Sequence, residues 1–200
     1  RGCMEKKPTR KLKQIESDLR QLPNSVWVEF NQAKSSLPVK LTAKQTRTWM
    51  QIGLEIAHQS VRSWETASTY FKVSPDLLSH TTFDSFVKWA ESGNSLCQKS
   101  PSIATAFFEA SPKAVIKLSE HPEKWSRMGI SLYKGTWKSS TLTCKFFASS
   151  PALLENLKFS EMEKLVTFLD SLSHRSHELS CECLDLSQKL FPMIEKDRGA

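Results

Sequence analysis

Apolar positions recur with a helical period along the chain, and one compound pattern repeats three times. Trp49 is followed four residues on by Gly53, Trp89 by Gly93 and Trp125 by Gly129. The seventh and eighth positions after each Trp are also apolar: Ile56 and Ala57, Leu96 and Cys97, Leu132 and Tyr133. Steps of four, seven and eight fall on one face of an α-helix. A glycine inside a helix costs about 1 kcal/mol relative to alanine. Three glycines at one register therefore need a reason, and close approach of a neighbouring helix is the simplest. Upstream, Leu12, Ile15, Leu19 and Leu22 form a stripe at steps of three and four. This predicts an amphipathic helix over residues 9–22, ended by Pro23-Asn24-Ser25.

A second pattern follows each Trp. It reads Tyr70-Phe71-x2-Ser74-Pro75, Phe107-Phe108-x2-Ser111-Pro112 and Phe146-Phe147-x2-Ser150-Pro151. Pro38 and Pro192 extend the rhythm, with steps of 37, 37, 39 and 41 residues. Ser is a preferred N-cap and Pro is tolerated at the first helical position. Each Ser-Pro is therefore expected to end one helix and open the next, as is Ser100-Pro101. The predicted unit has three helices: a short one after Ser-Pro, one bearing Trp and Gly, and one ending in the aromatic pair. Sustained two-residue alternation and Asn-Gly or Asp-Gly hairpin turns are missing from the sequence.

A repeat of this size buries its apolar face only by stacking on its neighbours. The predicted fold is thus all-α, a helical-repeat array of the HEAT-like α-solenoid kind. It has about three full repeats of 36–41 residues plus degenerate end caps. Residues 1–24 form a basic N-terminal arm with the amphipathic helix, and residues 25–200 the helical-repeat domain. The units lie near 46–80, 83–120 and 122–158, with a cap at 159–195. In that cap Phe168 stands where Trp is expected and Leu172 replaces Gly.

Composition refines this picture. Five Cys without framework spacing argue against a disulfide scaffold and fit a reducing compartment, read as cytoplasmic. No apolar run approaches the roughly 20 residues that span a bilayer, and the basic N-terminus lacks the apolar stretch of a secretory signal. The formal net charge is +7. Residues 1–20 carry seven basic and three acidic side chains, or +4 of that total. Lys6, Lys7, Arg10, Lys11 and Lys13 are accordingly candidates for contact with nucleic acid or an acidic partner; the alternative is a solvated terminus.

Catalytic signatures are missing. There is no GxSxG, HExxH, P-loop or GxGxxG, and the Asp residues are scattered. The expectation is a chain with no catalytic residues, no cofactor and no metal. One cluster has the makings of a zinc site, since His174, His177 and Cys181 fall at helical steps of three and four. No second ligand group at zinc-finger spacing supports it, and a polar patch with Cys181 packed as a small apolar residue is the competing reading. The signature positions Trp49, Gly53, Phe71, Pro75, Trp89, Gly93, Phe108, Pro112, Trp125, Gly129, Phe147 and Pro151 are read as structural. Equivalent aromatics in a stack are core rather than a base-stacking surface. Trp64 and Trp137 lie outside the alignment and are the better candidates for exposure, although the core remains the expectation for them too.

The W-x3-G helix followed by an aromatic pair and Ser-Pro resembles the helical-repeat region of bacterial von Willebrand A-domain proteins of the NorD-like and CoxE-like group. The resemblance spans residues 46–192. It implies a partnership with a MoxR-type AAA+ ATPase or its client in metalloenzyme maturation. The Asp-x-Ser-x-Ser signature of the A domain is absent, because Asp170-Ser171-Leu172-Ser173 is out of register, so no metal site is carried over. Trp49-x2-Ile52-Gly53 also resembles the opening of a tetratricopeptide repeat, but the period exceeds its 34 residues. The function expected is a non-enzymatic protein-interaction scaffold or adaptor. The alternative is a nucleic-acid-binding HEAT-like repeat protein. In either case the functional residues are expected between the signature positions, where the repeats disagree.

Overall fold

The computed structural model describes residues 11–118 and 121–198. It is all-helical, with ten helices and no strand among the described residues. They are α1 (Leu12–Arg20), α2 (Asn24–Ser36), α3 (Ala43–Ala57), α4 (Ser63–His80), α5 (Phe83–Lys99), α6 (Pro101–Leu118), α7 (Pro122–Leu132), α8 (Trp137–Leu154), α9 (Phe159–Arg175) and α10 (His177–Arg198). The even-numbered helices pack in series, α2 on α4, α4 on α6, α6 on α8 and α8 on α10. The odd-numbered helices form a second series from α1 to α9, and each odd helix also packs on the even helix that follows it.

Three Ser-Pro pairs do not start helices, contrary to the expectation from sequence. Pro75, Pro112 and Pro151 lie inside α4, α6 and α8, so each unit has two helices and not three. A proline in a helix interior costs about 3 kcal/mol, since it lacks the N–H and crowds the carbonyl four residues back. The preceding Ser donates its hydroxyl to the carbonyl four residues earlier, Ser74 to Tyr70, Ser111 to Phe107 and Ser150 to Phe146, each at 2.6 Å and one residue before the carbonyl that the proline leaves without an N–H. Burial offsets the cost. Beyond the proline, Leu77 and Leu78, Ala114 and Val115, and Leu153 and Leu154 are all buried. A fully buried Leu contributes about 1.5–3 kcal/mol, enough to hold the last turns in the same helix. Ser100-Pro101, by contrast, does open α6. Elsewhere Thr42, Thr82, Thr136 and Ser176 cap helices with their side chains, each accepting from the backbone N–H three residues on.

The glycines answer to a ring, not to a helix backbone. A Cβ built on Gly53 would lie 2.1 Å from Phe71 Cζ, one on Gly93 2.0 Å from Phe108 Cζ, and one on Gly129 2.1 Å from Phe147 Cζ. Helices α3, α5 and α7 therefore each have a notch that receives the ring tip of the following even helix. Trp49, Trp89 and Trp125 are fully buried beside these notches. Trp49 meets Phe71 edge-on at 5.4 Å, and Trp125 meets Phe147 edge-on at 5.0 Å. Between successive even helices the rings continue: Phe30 to Phe71 at 5.3 Å, Tyr70 to Phe108 at 5.6 Å and Phe107 to Phe147 at 5.4 Å.

This packing corrects the register of both ends. Phe168 is not the counterpart of Trp; it is 53% exposed. Met162, Val166 and Leu169 stand at the Trp, Gly and Leu steps of α7, each 37 residues after Trp125, Gly129 and Leu132, and all three are buried. Leu184 then takes the place of Phe147, and Ser187 repeats the serine bond, donating to the Cys183 carbonyl at 2.8 Å. Without a ring to receive, the notch residue carries a side chain. Pro192 and Pro38 are outside this register: Pro192 is late in α10, and Pro38 lies in the connection after α2. The first helix is Leu12–Arg20 rather than residues 9–22, and Asn24 begins α2 rather than ending α1.

Candidate functional site

The even-numbered helices leave an open trough on their exposed side. Its floor between α6 and α8 is set by alanines at helical steps of four, Ala106 and Ala110 on α6 and Ala148 and Ala152 on α8, with Pro151 beside them. Small side chains facing each other across two packed helices leave the space empty, about 470 Å³ in this stretch. Glu109, Lys113, Lys117 and Glu155 rise at the rim, and Ile116, largely exposed, offers an apolar edge. Ala106 and Glu109 also line a second stretch toward α4, where Arg62, Glu65, Pro101, Ser102, Thr105 and Cys144 complete the walls. The two stretches form one trough across three helices. Arg62, Lys113 and Lys117 balance Glu65, Glu109 and Glu155, so its rim is neutral overall.

One cysteine, Cys144, lines the trough. Burial pushes the Cys144 thiol up, and the nearby Glu109 charge adds to the shift, against a hydrogen bond with Ser140 that lowers it. Cys144 is thus held as a thiol rather than a nucleophilic thiolate at neutral pH. Burial likewise raises Cys97 and Cys181.

The other residues singled out from sequence are placed as follows. Lys6, Lys7 and Arg10 lie outside the described residues; Lys11 and Lys13 are exposed at the start of α1. His177 and Cys181 come together, with Sγ 3.7 Å from Nε2. His174 sits instead at 3.9 Å from Asp170, on the preceding helix. Among the described residues no group of three or more His, Cys, Asp or Glu is arranged to hold a metal ion. Trp64 and Trp137 are not core: Trp64 is exposed at the start of α4, and Trp137 is 74% exposed at the start of α8, with the His177 ring 6.3 Å away. Each sits in the first turn of its helix, before the aromatic pair that turns inward. The trough itself escaped the sequence reading. Its signal, paired alanines at steps of four in two successive units, is visible only once α6 and α8 are known to be neighbours. No helix among the described residues is long and apolar enough to cross a membrane.

No family model matches the chain, and neither a curated protein nor a solved structure is similar to it.

Proposed function

We propose that this chain is a protein-interaction scaffold of the HEAT-like α-solenoid kind that holds an extended or helical peptide segment in the trough across α4, α6 and α8. The observation that carries the reading is the trough's make-up: an alanine floor, an apolar edge at Ile116 and a rim of three cations and three anions. A peptide with small or apolar anchors and charges of both signs fits such a surface. A nucleic-acid backbone calls for a predominantly basic track. Exposed Trp64 and Trp137, at the start of α4 and α8, add aromatic anchors of the type enriched in protein interfaces. The narrower reading, a MoxR-type ATPase or its client as the partner, rests on the repeat motif alone. Action without catalytic residues or a cofactor rests on the repeat together with the lack of catalytic signatures in the sequence.

The test is selection of binding peptides from a random display library. Binders should lose at least tenfold in affinity, about 1.4 kcal/mol, when Ala110→Trp or Ala148→Trp fills the floor. They should be indifferent to neutralising Lys11 and Lys13. Binding of DNA or RNA at low salt that disappears with Lys11 and Lys13, together with no trough-dependent peptide, would favour the nucleic-acid alternative and sink this one.

A further inference from the structure

The groove between α8 and α10 is bridged, and the corresponding groove between α6 and α8 is not. Lys145 reaches Asp185 at 3.1 Å, and the Gln188 amide donates to Ser149 at 2.6 Å. Register is counted from Phe108, Phe147 and Leu184, which hold the same place in α6, α8 and α10. The α6 counterparts of Lys145 and Ser149 are then Ala106 and Ala110, and the α8 counterparts of Asp185 and Gln188 are Ala148 and Pro151. All four line the trough. Its floor therefore stands where a salt bridge and a hydrogen bond stand one step along the array. The rim charges are left over as well. Lys138 and Lys145 pair with Glu178 and Asp185. Among the described residues Arg62, Glu65, Glu109, Lys113, Lys117 and Glu155 are in no ion pair.

The rim is neutral overall but divided. Lys113 and Lys117 outnumber Glu155 at the end where α6 and α8 finish, and Glu65 and Glu109 outnumber Arg62 toward the end where α6 starts. Glu109, Lys113 and Lys117 form one row at steps of four along α6. The walls are helices that use their backbone groups internally. An extended occupant would find few partners there for its own N–H and C=O groups, whereas a helix brings its own. Alanines at steps of four let a second helix approach to about 8 Å between axes. From Ala106 to Lys117 the wall rises about 17 Å, or roughly three helical turns. Direction follows from the charges. A helix antiparallel to α6 sets acids of its first turns over Lys117 and Lys113, and a base of its last turn over Glu109. That order suits its own dipole, and its positive end lies at the negative ends of α6 and α8. A parallel helix needs the opposite order, against its dipole.

Taking the trough as the peptide site proposed above, we infer that its occupant is an α-helix of about three turns lying antiparallel to α6, with large apolar side chains on the alanine floor, acids in its first two turns and a base in its last. The probes are two synthetic peptides of about 18 residues, long enough to form a helix, with leucines at steps of three and four. One carries Glu in its first two turns and Lys in its last; the other has Glu and Lys exchanged. Fluorescence anisotropy with the full chain at low salt should show the first bound at least about tenfold tighter than the second. Glu109→Lys with Lys113→Glu and Lys117→Glu should reverse that order with helical circular dichroism unchanged, which a difference in peptide helicity alone would not do. Proline at the centre of the first peptide should weaken it by at least about thirtyfold. A photoreactive group at its N-terminus should mark the unsubstituted chain near Lys117 and Glu155, and one at its C-terminus near Ser102. No binding of either peptide, equal affinities, an order that the triple variant keeps, tolerance of the proline, or N-terminal marking near Ser102 would each overturn the inference. Library peptides still displaced by Ala110→Trp would then leave the trough as a peptide site, and their absence would remove both.

Discussion

Replacing Gly93 by alanine sets two known effects against each other. Alanine favours the helix over glycine by about 1 kcal/mol. Its Cβ, however, would lie 2.0 Å from Phe108 Cζ and 2.5 and 2.6 Å from two further ring carbons. Ordinary contact begins near 3.4 Å, so the ring must withdraw by about 1.4 Å. Its way is blocked. Phe108 is fully buried, with Tyr70 and Phe107 at ring separations of 5.6 Å. Overpacking of a core costs about 1–3 kcal/mol, and overlap with three atoms of a pinned ring belongs at the top of that range. The net expectation is destabilisation by about 2 kcal/mol. For a chain of this length that lowers Tm by about 4–8 °C, measured by circular dichroism or calorimetry. Gly93→Ala combined with Phe108→Leu should cost at least 1 kcal/mol less than the sum of the two single changes, because the smaller side chain vacates the notch. The fourth unit already has that combination, Val166 with Leu184. An unchanged or raised Tm for Gly93→Ala, or strict additivity of the pair, would refute the notch.

Ser74 both accepts from Trp49 Nε1 at 3.0 Å and donates to the Tyr70 carbonyl, whereas buried Trp125 Nε1 has no partner. Ser74→Ala should therefore cost about 1 kcal/mol more than Ser150→Ala, read from denaturant midpoints; equal costs would show that the Trp49 bond contributes nothing. Burial, with a smaller push from Glu55, raises the Tyr70 phenol well above its ordinary value. A group whose pKa is raised by folding contributes stability that is full below the unfolded value and falls as pH climbs above about 10. Phenolate absorbance from Tyr70 should consequently appear together with loss of helical signal, and Tyr70→Phe should remove that part of the alkaline instability. Trp137→Phe should change stability by no more than about 0.5 kcal/mol, or about 1–2 °C in Tm, since most of that side chain is already in water, whereas Trp125→Ala should cost about 3–5 kcal/mol.

The helical periods were legible because the buried positions are chemically unusual. Gly53, Gly93 and Gly129 stand out against the helix propensity of their surroundings, and only packing explains such a conflict. The same signature misled at Ser-Pro. Read locally, Ser74-Pro75 is a helix start, and Ser100-Pro101 is one. Burial does not separate the two cases, since Leu96 and Cys97 before Pro101 and Ile103 and Ala104 after it are as buried as Tyr70, Phe71, Leu77 and Leu78 around Pro75. They differ in the backbone at the serine: Ser100 is extended, with φ −160° and ψ 118°, whereas Ser74 lies inside α4. The dipeptide reads the same in both.

The trough and the exposed leucines of α10 illustrate a second limit. Alanine at positions 106, 110, 148 and 152 is unremarkable in any helix, and its meaning arises only from two helices lying side by side. Leu179, Leu186 and Leu190 are the reverse case. Their spacing is that of ordinary core, and nothing in the sequence distinguishes them from Ile103 or Leu142, which occupy the same register. What differs is the absence of a following helix to cover them among the described residues. Phe168 shows the same limit: an aromatic in an apolar stripe reads as the Trp position, although Met162, six residues earlier and in register with Trp125, fills that place. Repeats make core legible by recurrence. Surfaces, which arise where recurrence stops or where side chains are small, are visible only in the assembled fold.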